Sequence, residues 1–223
     1  MIRIFVGYDN NEKVAFSTLS HSLLKHSTQP ISITPIRLEN IKDIFVRERL
    51  KIQSTEFAFS RFLVPYLCNY SGHAIFMDCD MLSRSNIAEL WRQRTTKYAV
   101  QCVQHDYTPT STIKFMNQPQ TPYPKKNWSS MMIFNNAKCT ALSPDYVNSA
   151  TGLELHQFKW LESEDLIGNL GVEWNHLVGE YEYSESAKLV HYTEGGPYFK
   201  NYKNCHYADE WFDTFKESTQ INL

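Results

Sequence analysis

Two carboxylates one residue apart follow a short apolar run about a third of the way along the sequence. Asp78-Cys79-Asp80 comes directly after Ala74-Ile75-Phe76-Met77, a run typical of a buried strand. Carboxylate oxygens are the ligands that Mg²⁺ and Mn²⁺ prefer, and phosphate oxygens of a substrate usually complete such sites. The pair therefore suggests a cation site that serves a phosphate or diphosphate. Because Asp is also common where a strand ends in a solvated turn, the motif alone leaves both interpretations open.

Two further polar clusters follow runs that are typical of strands. Asp9 closes the turn Gly7-Tyr8-Asp9 that ends the apolar run Ile2–Val6, and His105-Asp106 follows a strand predicted at Tyr98–Val103. If these strands run parallel to the one before the aspartate pair, their carboxyl ends meet at one edge of a sheet, where ligands of α/β proteins bind. We therefore expect all three clusters to line one crevice. Each cluster by itself is equally consistent with a polar strand end.

Alternating strand and helix patterns predict an α/β fold, with a mainly parallel, Rossmann-like sheet and helices on both faces. Asn10 or Asn11 is expected to cap the first helix, and Pro65 to kink the second helix or end it early. The Pro-rich segment 108–127 is typical of a binding loop. No linker is apparent, so we expect one domain over residues 1–223. Helices are predicted at Val14–Lys25, Phe57–Leu67 and Ile87–Trp91, and further strands at Ile31–Leu38 and Ala187–Val190.

Composition places the chain among ordinary globular proteins. It has 223 residues, of which 42% are hydrophobic and 21% charged. Its 22 Lys and Arg against 24 Asp and Glu give a formal charge of −2, which argues against sequence-independent binding of nucleic acid. The five cysteines form no Cys-x-x-Cys pair, which predicts reduced, mostly buried thiols rather than a zinc site.

The beginning of the sequence favours a cytoplasmic location. The first strand pattern starts at Ile2, which leaves no room for a signal peptide. The sequence contains no apolar run of about 18 residues, the length needed to span a membrane. We therefore expect a soluble cytoplasmic protein, with peripheral contact at a membrane surface left open.

His191, two glycines and a lone arginine are further candidate site residues. His191 follows a strand pattern, and an imidazole beside two carboxylates would shift the preferred ion from Mg²⁺ towards Mn²⁺. Gly195 and Gly196 would let the backbone approach a diphosphate closely. Arg61 lies within an apolar helix pattern and must reach an anion or the surface, because an unpaired buried charge is costly. A phosphate and a partner carboxylate are both open as that anion.

Two charged segments can be interpreted either as functional or as structural. Glu164 and Asp165 offer acids for catalysis or acceptor binding, but a helix start rich in carboxylates explains the same residues. The segment Lys125-Lys126-Asn127-Trp128 offers contacts to a phosphate or an acceptor, and it is equally consistent with a solvated turn.

Taken in order, these segments resemble the family 8 glycosyltransferases with a GT-A fold. More narrowly, the chain looks like a group of small bacterial proteins that carry only the label glycosyltransferase. In that group the strings Asn127-Trp128-Ser129-Ser130 and Trp174-Asn175-His176-Leu177-Val178 are recognisable. The resemblance covers residues 1–200 and rests on the segments 5–9, 59–67, 75–82, 87–91, 131–136, 174–175 and 191–192.

The resemblance implies a metal-dependent glycosyltransferase that moves a sugar from a nucleoside diphosphate donor, in the first place a UDP-sugar, to an unknown acceptor. It implies retention of the anomeric configuration and a role in surface polysaccharide or lipopolysaccharide assembly. Mn²⁺, or Mg²⁺ in its place, would be the cofactor. By position, the donor would contact Gly7, Tyr8, Asp9, Arg61, Asp78, Gly195 and Gly196, the metal would be held by Asp78, Asp80 and His191, and the catalytic acids would be Glu164 and Asp165.

The sequence departs from the family pattern at three places. Gly196 stands where the family carries a lysine that contacts the diphosphate, and Lys200 or Lys203 is a candidate replacement. Trp128-Ser129-Ser130 replaces the Asn-Ala-Gly string of the sugar-binding loop, so a different donor sugar is expected. Ser163-Glu164-Asp165 replaces Asp-Gln-Asp, which puts a carboxylate where the family has an amide.

Three other functions fit parts of this pattern. A non-catalytic nucleotide-sugar-binding module would keep the donor site and lack turnover. A phosphohydrolase of the haloacid dehalogenase type also has Asp-x-Asp after a strand, but near the N-terminus and followed by Gly or Thr, whereas Met81 follows here. A sugar nucleotidylyltransferase would need a glycine-rich loop at the N-terminus, which this sequence lacks.

Overall fold

The computed structural model describes residues 1–48, 55–106, 113–114, 118–119 and 124–220. Most of the predicted strands and helices are found close to their predicted bounds. The strands are β1 (Ile2–Gly7), β2 (Ile31–Ile36), β3 (His73–Met77), β4 (Met81–Ser83), β5 (Val100–Val103), β6 (Ile113–Lys114), β7 (Gln118–Pro119), β8 (Met131–Asn135), β9 (Ile167–Leu170), β10 (His176–Leu177) and β11 (Leu189–His191). The α-helices are α1 (Lys13–His26), α2 (Val64–Leu67), α3 (Ile87–Arg92), α4 (Pro144–Ser149), α5 (Gly152–His156) and α6 (Ala208–Thr219).

The main sheet has the strand order β2-β1-β3-β8-β5-β9. All neighbours within it pair in parallel except β8, which runs antiparallel to both β3 and β5. Strands β5 and β8 are buried along their whole length, as is β3 after its first residue, which explains why these segments are continuous apolar runs without alternation. The expected mainly parallel α/β fold is confirmed.

The topology brings the three predicted polar clusters to the same edge of the sheet. Asp9, Asp78 and His105 follow β1, β3 and β5, which all run in one direction. Because β8 runs the other way, it begins at this edge, and Ser129 and Ser130 lie directly before its first residue. One edge therefore collects polar side chains from four distant segments.

A small sheet of order β10-β11-β4 determines the position of His191. Strand β11 runs antiparallel to β4 with His191 opposite Met81, and the backbone N–H of Tyr192 donates to the carbonyl of Asp80. Apolar side chains of this sheet pack against Trp211 of α6. The pairing of β4 with β11 is therefore what places an imidazole next to the aspartate pair.

Two local predictions around helix starts are wrong. The segment predicted as a helix over Phe57–Leu67 forms a 3₁₀ turn at Ser60–Leu63 followed by the short helix α2. Pro65 lies in the first turn of α2, where backbone N–H groups have no acceptor within the helix, so the lack of an N–H in proline breaks no hydrogen bond. Pro65 therefore lies at the start of this helix and does not end one. Glu12, not Asn10 or Asn11, occupies the N-cap of α1, and it makes no side-chain cap.

Other predictions are confirmed, or lie outside the described residues. All five cysteines are free, and four of them are buried. The predicted loop over 108–127 falls mostly outside the described part of the chain, which includes β6, β7 and the turn from residue 124. Within the described ranges no helix has the length and apolar character that crossing a membrane requires.

Gly7 is required by packing at the end of β1, which yields a prediction. A Cβ at this position would lie 2.4 Å from two ring atoms of Phe57, and that ring is fully buried. Gly7→Ala should therefore lower the free energy of unfolding by about 1–3 kcal/mol, the usual cost of overpacking a core. Urea unfolding measures this.

The exposed variant Ser17→Ala on α1 serves as the control and should change stability by no more than about 0.5 kcal/mol. Equal unfolding midpoints for Gly7→Ala and the wild-type protein would contradict the close packing of Phe57 against β1.

Candidate metal centre

Asp78, Asp80 and His191 form a buried group whose ligand atoms all lie within 4.8 Å of one another. The two aspartates occupy the turn between β3 and β4, and His191 ends β11 beside them. Cys79 lies between the aspartates but is fully buried in the apolar core, and burial raises the pKa of its thiol well above the usual range. The chain therefore presents two carboxylates and one imidazole to the same point.

Arg61 is paired with the first of these carboxylates. Its Nη1 lies 2.8 Å from Asp78 Oδ1 and also donates to the carbonyl of Ser129 at 2.9 Å. Burial raises the pKa of Asp78 to about 6, although the positive charge of Arg61 acts in the opposite direction. Of the two anions left open for Arg61, a carboxylate is the one that the structure shows.

The donor atoms fit a divalent cation. Asp80 Oδ1 is buried and receives no hydrogen bond within the described residues, whereas the buried Asp78 Oδ1 has the guanidinium of Arg61 as its charged partner. His191 Nε2 lies 3.5 Å from Asp80 Oδ1, too far for a hydrogen bond. Buried oxygens without donors are costly unless a cation or proton satisfies them. Two carboxylates and one imidazole suit Mn²⁺ or Mg²⁺ with positions left for substrate oxygens.

A polar network surrounds the imidazole of His191. Its Nδ1 lies 3.0 Å from the side-chain oxygen of Asn175, which is fully buried. The amide nitrogen of Asn175 lies 3.0 Å from Nε2 of His105 and 2.8 Å from the hydroxyl of Ser130. His105 in turn lies 2.8 Å from the hydroxyl of Tyr181. The predicted cluster at His105 thus reaches the centre through Asn175.

Asp9 lies at the predicted edge, with its carboxylate bound to nearby protein groups. Its Oδ1 accepts from the backbone and side chain of Asn11, and its Oδ2 accepts from the backbone N–H of Glu56. Tyr8 beside it is partly exposed and makes an edge contact with Phe16. These contacts close the turn after β1. A nucleoside contact for Gly7, Tyr8 and Asp9 stays a prediction.

The segment after His191 is fixed to the N-terminus of α1. Tyr198 donates its hydroxyl proton to Glu12 Oε1 at 2.6 Å. Burial raises the pKa of Glu12 well above its usual range, and the negative charge of Asp80 adds to the effect. Gly196 is needed here, because a Cβ would lie 2.1 Å from the ring of Tyr198. Gly195 is buried and adopts a positive φ of 145°, a backbone conformation that favours glycine. The predicted close approach of a diphosphate to Gly195 and Gly196 stays a prediction.

Glu164 and Asp165 lie apart from this group. Both side chains are exposed, in a 3₁₀ turn directly before β9. Glu164 forms an ion pair with Lys125, and Asp165 accepts a hydrogen bond from Ser163. None of their described contacts involves the three candidate ligands. Their catalytic role stays a prediction to which the geometry adds no support.

The comparison with curated proteins identifies a close relative. The chain is 46% identical over 229 residues to Protein CDI of Arabidopsis thaliana, and the match covers 99% of this chain and 88% of the relative. The chain belongs to the Protein CDI family. No model in a scan against protein-family models matches it.

Solved structures show that this CDI family member has the fold of GT-A glycosyltransferases. An active-site mutant of LgtC superimposes with a TM-score of 0.66 at 12% identity, over 99% of this chain and 97% of that one. GlyE of Streptococcus pneumoniae gives 0.61 at 13% identity, over 99% of this chain and 60% of GlyE. The bifunctional glycosyltransferase WbbM gives 0.60 at 14% identity, over 96% of this chain and 49% of WbbM. The CDI family chain therefore spans about half of WbbM.

Three residues of the centre received no site role from the sequence. Neither Glu12 nor Tyr198 stands out in the sequence as a candidate site residue. Asn175 was part of a recognisable string, but its amide had no assigned contact. Their partners lie between 16 and 186 residues away along the chain, so no local pattern could reveal them.

The raised pKa of Asp78 predicts proton release when a cation binds. Below about pH 6 the folded protein keeps a proton on Asp78 that the unfolded chain, with its pKa of 3.8, has already lost. Without a cation, the contribution of Asp78 to the free energy of unfolding therefore falls as the pH rises from 3.8 to about 6. A cation must displace that proton, so Mn²⁺ affinity should fall about tenfold for each pH unit below 6.

Calorimetry in two buffers of different ionisation enthalpy measures this effect. About one proton should be released at pH 5 and almost none at pH 8. A Mn²⁺ affinity that is constant across this range would contradict cation binding through Asp78.

Proposed function

We propose that this CDI family member is a metal-dependent glycosyltransferase that uses a nucleoside diphosphate sugar, in the first place a UDP-sugar, as donor. The observation that carries the proposal is the buried group of Asp78, Asp80 and His191 at the ligand-binding edge of a GT-A fold. The LgtC structure solved with donor and acceptor sugar analogues has the same fold, with a TM-score of 0.63 at 10% identity. The structural relatives favour sugar transfer over the phosphohydrolase alternative.

The chemistry explains why a cation belongs at this edge. Cleavage of the bond between the sugar and the diphosphate leaves negative charge on the leaving group, and a bound Mn²⁺ or Mg²⁺ neutralises part of that charge. Asp78, Asp80 and His191 would hold the ion, with positions left for diphosphate oxygens. Arg61 holds the Asp78 carboxylate in place and partly offsets its charge. Family 8 membership, retention of configuration and the location in the cytoplasm belong to the same proposal.

Lys126 is the best-placed candidate for the missing diphosphate lysine. It is only 8% exposed, and its positive charge lowers the pKa of Glu194, which burial raises overall. The next residue, Asn127, donates to the hydroxyl of Thr193 at 3.1 Å. Lys126 therefore lies against the segment that begins at His191. Lys200 and Lys203, the replacements considered from sequence, are exposed.

Removal of the Lys126 charge should slow the transfer step. Lys126→Met keeps most of the apolar side chain and should lower donor turnover by about 100-fold, the usual loss when one charge-stabilising group is removed. Mn²⁺ affinity should not change, because Lys126 is no ligand. Lys203→Met, at an exposed position, is the matched control and should turn over donor normally. Equal turnover in both variants would exclude Lys126 from this role.

The first test is donor binding and hydrolysis across a panel of nucleotide sugars, with Mn²⁺ and with a chelator. Asp80→Asn removes one ligand charge at nearly constant volume, so it should reduce turnover by about 100-fold or more while the circular dichroism spectrum stays the same. Asp213→Asn, on the exposed face of α6, is the control and should behave as the wild-type protein.

The outcomes separate the proposal from its rivals. Metal-dependent hydrolysis of one donor would establish transferase chemistry and name the sugar. Metal-dependent binding without turnover, even with acceptors supplied, would favour the non-catalytic nucleotide-sugar-binding module. Full activity of Asp80→Asn with unchanged metal dependence would overturn the site. Glu164→Gln in the same assay decides whether this exposed acid takes part in catalysis.

A further inference from the structure

Asn175 lies at the centre of the polar network behind the candidate metal ligands. Its side chain is fully buried, and it follows the 3₁₀ turn Val172–Trp174, directly before β10. It links segments that follow β5, precede β8 and end β11. Its oxygen lies 3.0 Å from His191 Nδ1, and its nitrogen lies 3.0 Å from His105 Nε2, 3.2 Å from the carbonyl of Asn127 and 2.8 Å from Ser130 Oγ.

The surroundings permit only one orientation of the Asn175 amide. A backbone carbonyl can only accept hydrogen bonds, so the group that faces the Asn127 carbonyl must be the NH₂. The reversed orientation would place two oxygens against each other in a buried site. The Asn175 oxygen therefore faces His191.

This orientation decides where His191 carries its proton. An amide oxygen can only accept, so Nδ1 of His191 must hold the hydrogen that joins it to Asn175. In the neutral ring the lone pair then lies on Nε2, the nitrogen that faces Asp80 Oδ1 at 3.5 Å. The opposite tautomer would break the bond to Asn175 and point a proton at the cation site.

The other end of the network is fixed by the same logic. The NH₂ of Asn175 lies 3.0 Å from His105 Nε2 and offers no lone pair to a hydrogen on that nitrogen, so the proton of a neutral His105 lies on Nδ1, which faces the hydroxyl of Tyr181. Burial lowers the pKa of His105 to about 3, which keeps the ring neutral. Both imidazoles thus carry their proton on Nδ1, and in both cases the contact that requires this is with the side-chain amide of Asn175.

We propose that Asn175 is a positioning residue that fixes His191 in the Nδ1–H tautomer, so that its Nε2 lone pair is directed at the cation before the cation binds. His105 and Ser130 hold the amide in the orientation that this requires. The proposal rests on the metal centre of the proposed function, because the tautomer matters only if His191 is a ligand. Hydrogen bonds to the second nitrogen of a ligating histidine commonly orient the ring and raise its basicity.

Nitrogen NMR on the metal-free protein tests the tautomer directly. Two-bond ¹H–¹⁵N spectra of histidine-labelled protein at pH 8 distinguish protonated from unprotonated ring nitrogens. Loss of a signal in His191→Ala and in His105→Gln assigns the two rings. In the wild-type protein both rings should carry the proton on Nδ1.

Two substitutions of Asn175 separate its two contacts. Asn175→Ala removes both, so both rings should leave the single tautomer. Asn175→Asp keeps an acceptor for His191 Nδ1 but loses the NH₂ that faces His105 and the Asn127 carbonyl. His191 should therefore keep its proton on Nδ1, while His105 leaves its single tautomer. Asn136→Ala removes another fully buried asparagine, bound to the carbonyl of Ser71, and serves as the control for loss of stability alone. It should leave both tautomers unchanged.

Calorimetric titration with Mn²⁺ gives the second readout. Asn175→Ala should weaken Mn²⁺ binding by about 10- to 100-fold, the usual effect of losing the hydrogen-bond partner of a ligand. Asn136→Ala should bind as the wild-type protein does. If Asn175→Ala does not fold, the near-isosteric Asn175→Asp and the wild-type spectrum still decide the matter.

Each outcome either supports or overturns the inference. A wild-type His191 protonated at Nε2, or tautomers and Mn²⁺ affinity that do not change in Asn175→Ala, would overturn it. Mn²⁺ binding that depends on Asn175, without turnover of any donor, would support it while the proposed transferase fails. No Mn²⁺ binding by the wild-type protein would remove the metal centre and the role of Asn175 together.

Discussion

The burial of two aspartates side by side is the constraint on which the rest of this structure depends. Like charges held close together in a low dielectric repel each other, and each also loses its hydration. The guanidinium of Arg61 offsets part of this cost, and the imidazole of His191 lies on the other side of the group. The rings of Phe57 and Phe76 lie under the guanidinium of Arg61 and keep it in place. Such a costly arrangement is typical of a functional site.

The sheet topology brings the polar residues of the centre together from short, distant segments of the chain. Parallel strands deliver Asp9, Asp78 and His105 to one edge, while the single reversed strand β8 begins there and adds Ser129 and Ser130. The small sheet then adds His191 through its pairing with β4. None of these segments carries a site alone, so the chemistry depends on the order of strands more than on any one motif.

The sequence predicts the elements whose burial pattern is local and leaves open those that depend on distant partners. Apolar periodicity predicted β1, α1, β3 and α3 close to their observed bounds, and the polar strand ends predicted the shared edge. The segment around Pro65 was predicted wrongly because proline is common both just after a helix and in the first turn of one. The roles of Asn175 and Glu12 depend on partners that tertiary folding alone brings near.

The placement of Cys79 has a consequence for the choice of metal. The residue lies between both carboxylates along the chain, yet its sulfur is fully buried within the apolar core. Because burial raises the pKa of this thiol well above its usual range, no thiolate is available to a soft ion. Cadmium or mercury arriving at the aspartates would therefore meet only hard oxygen and borderline nitrogen donors. The donor set of the centre therefore favours Mn²⁺ or Mg²⁺ over thiophilic ions.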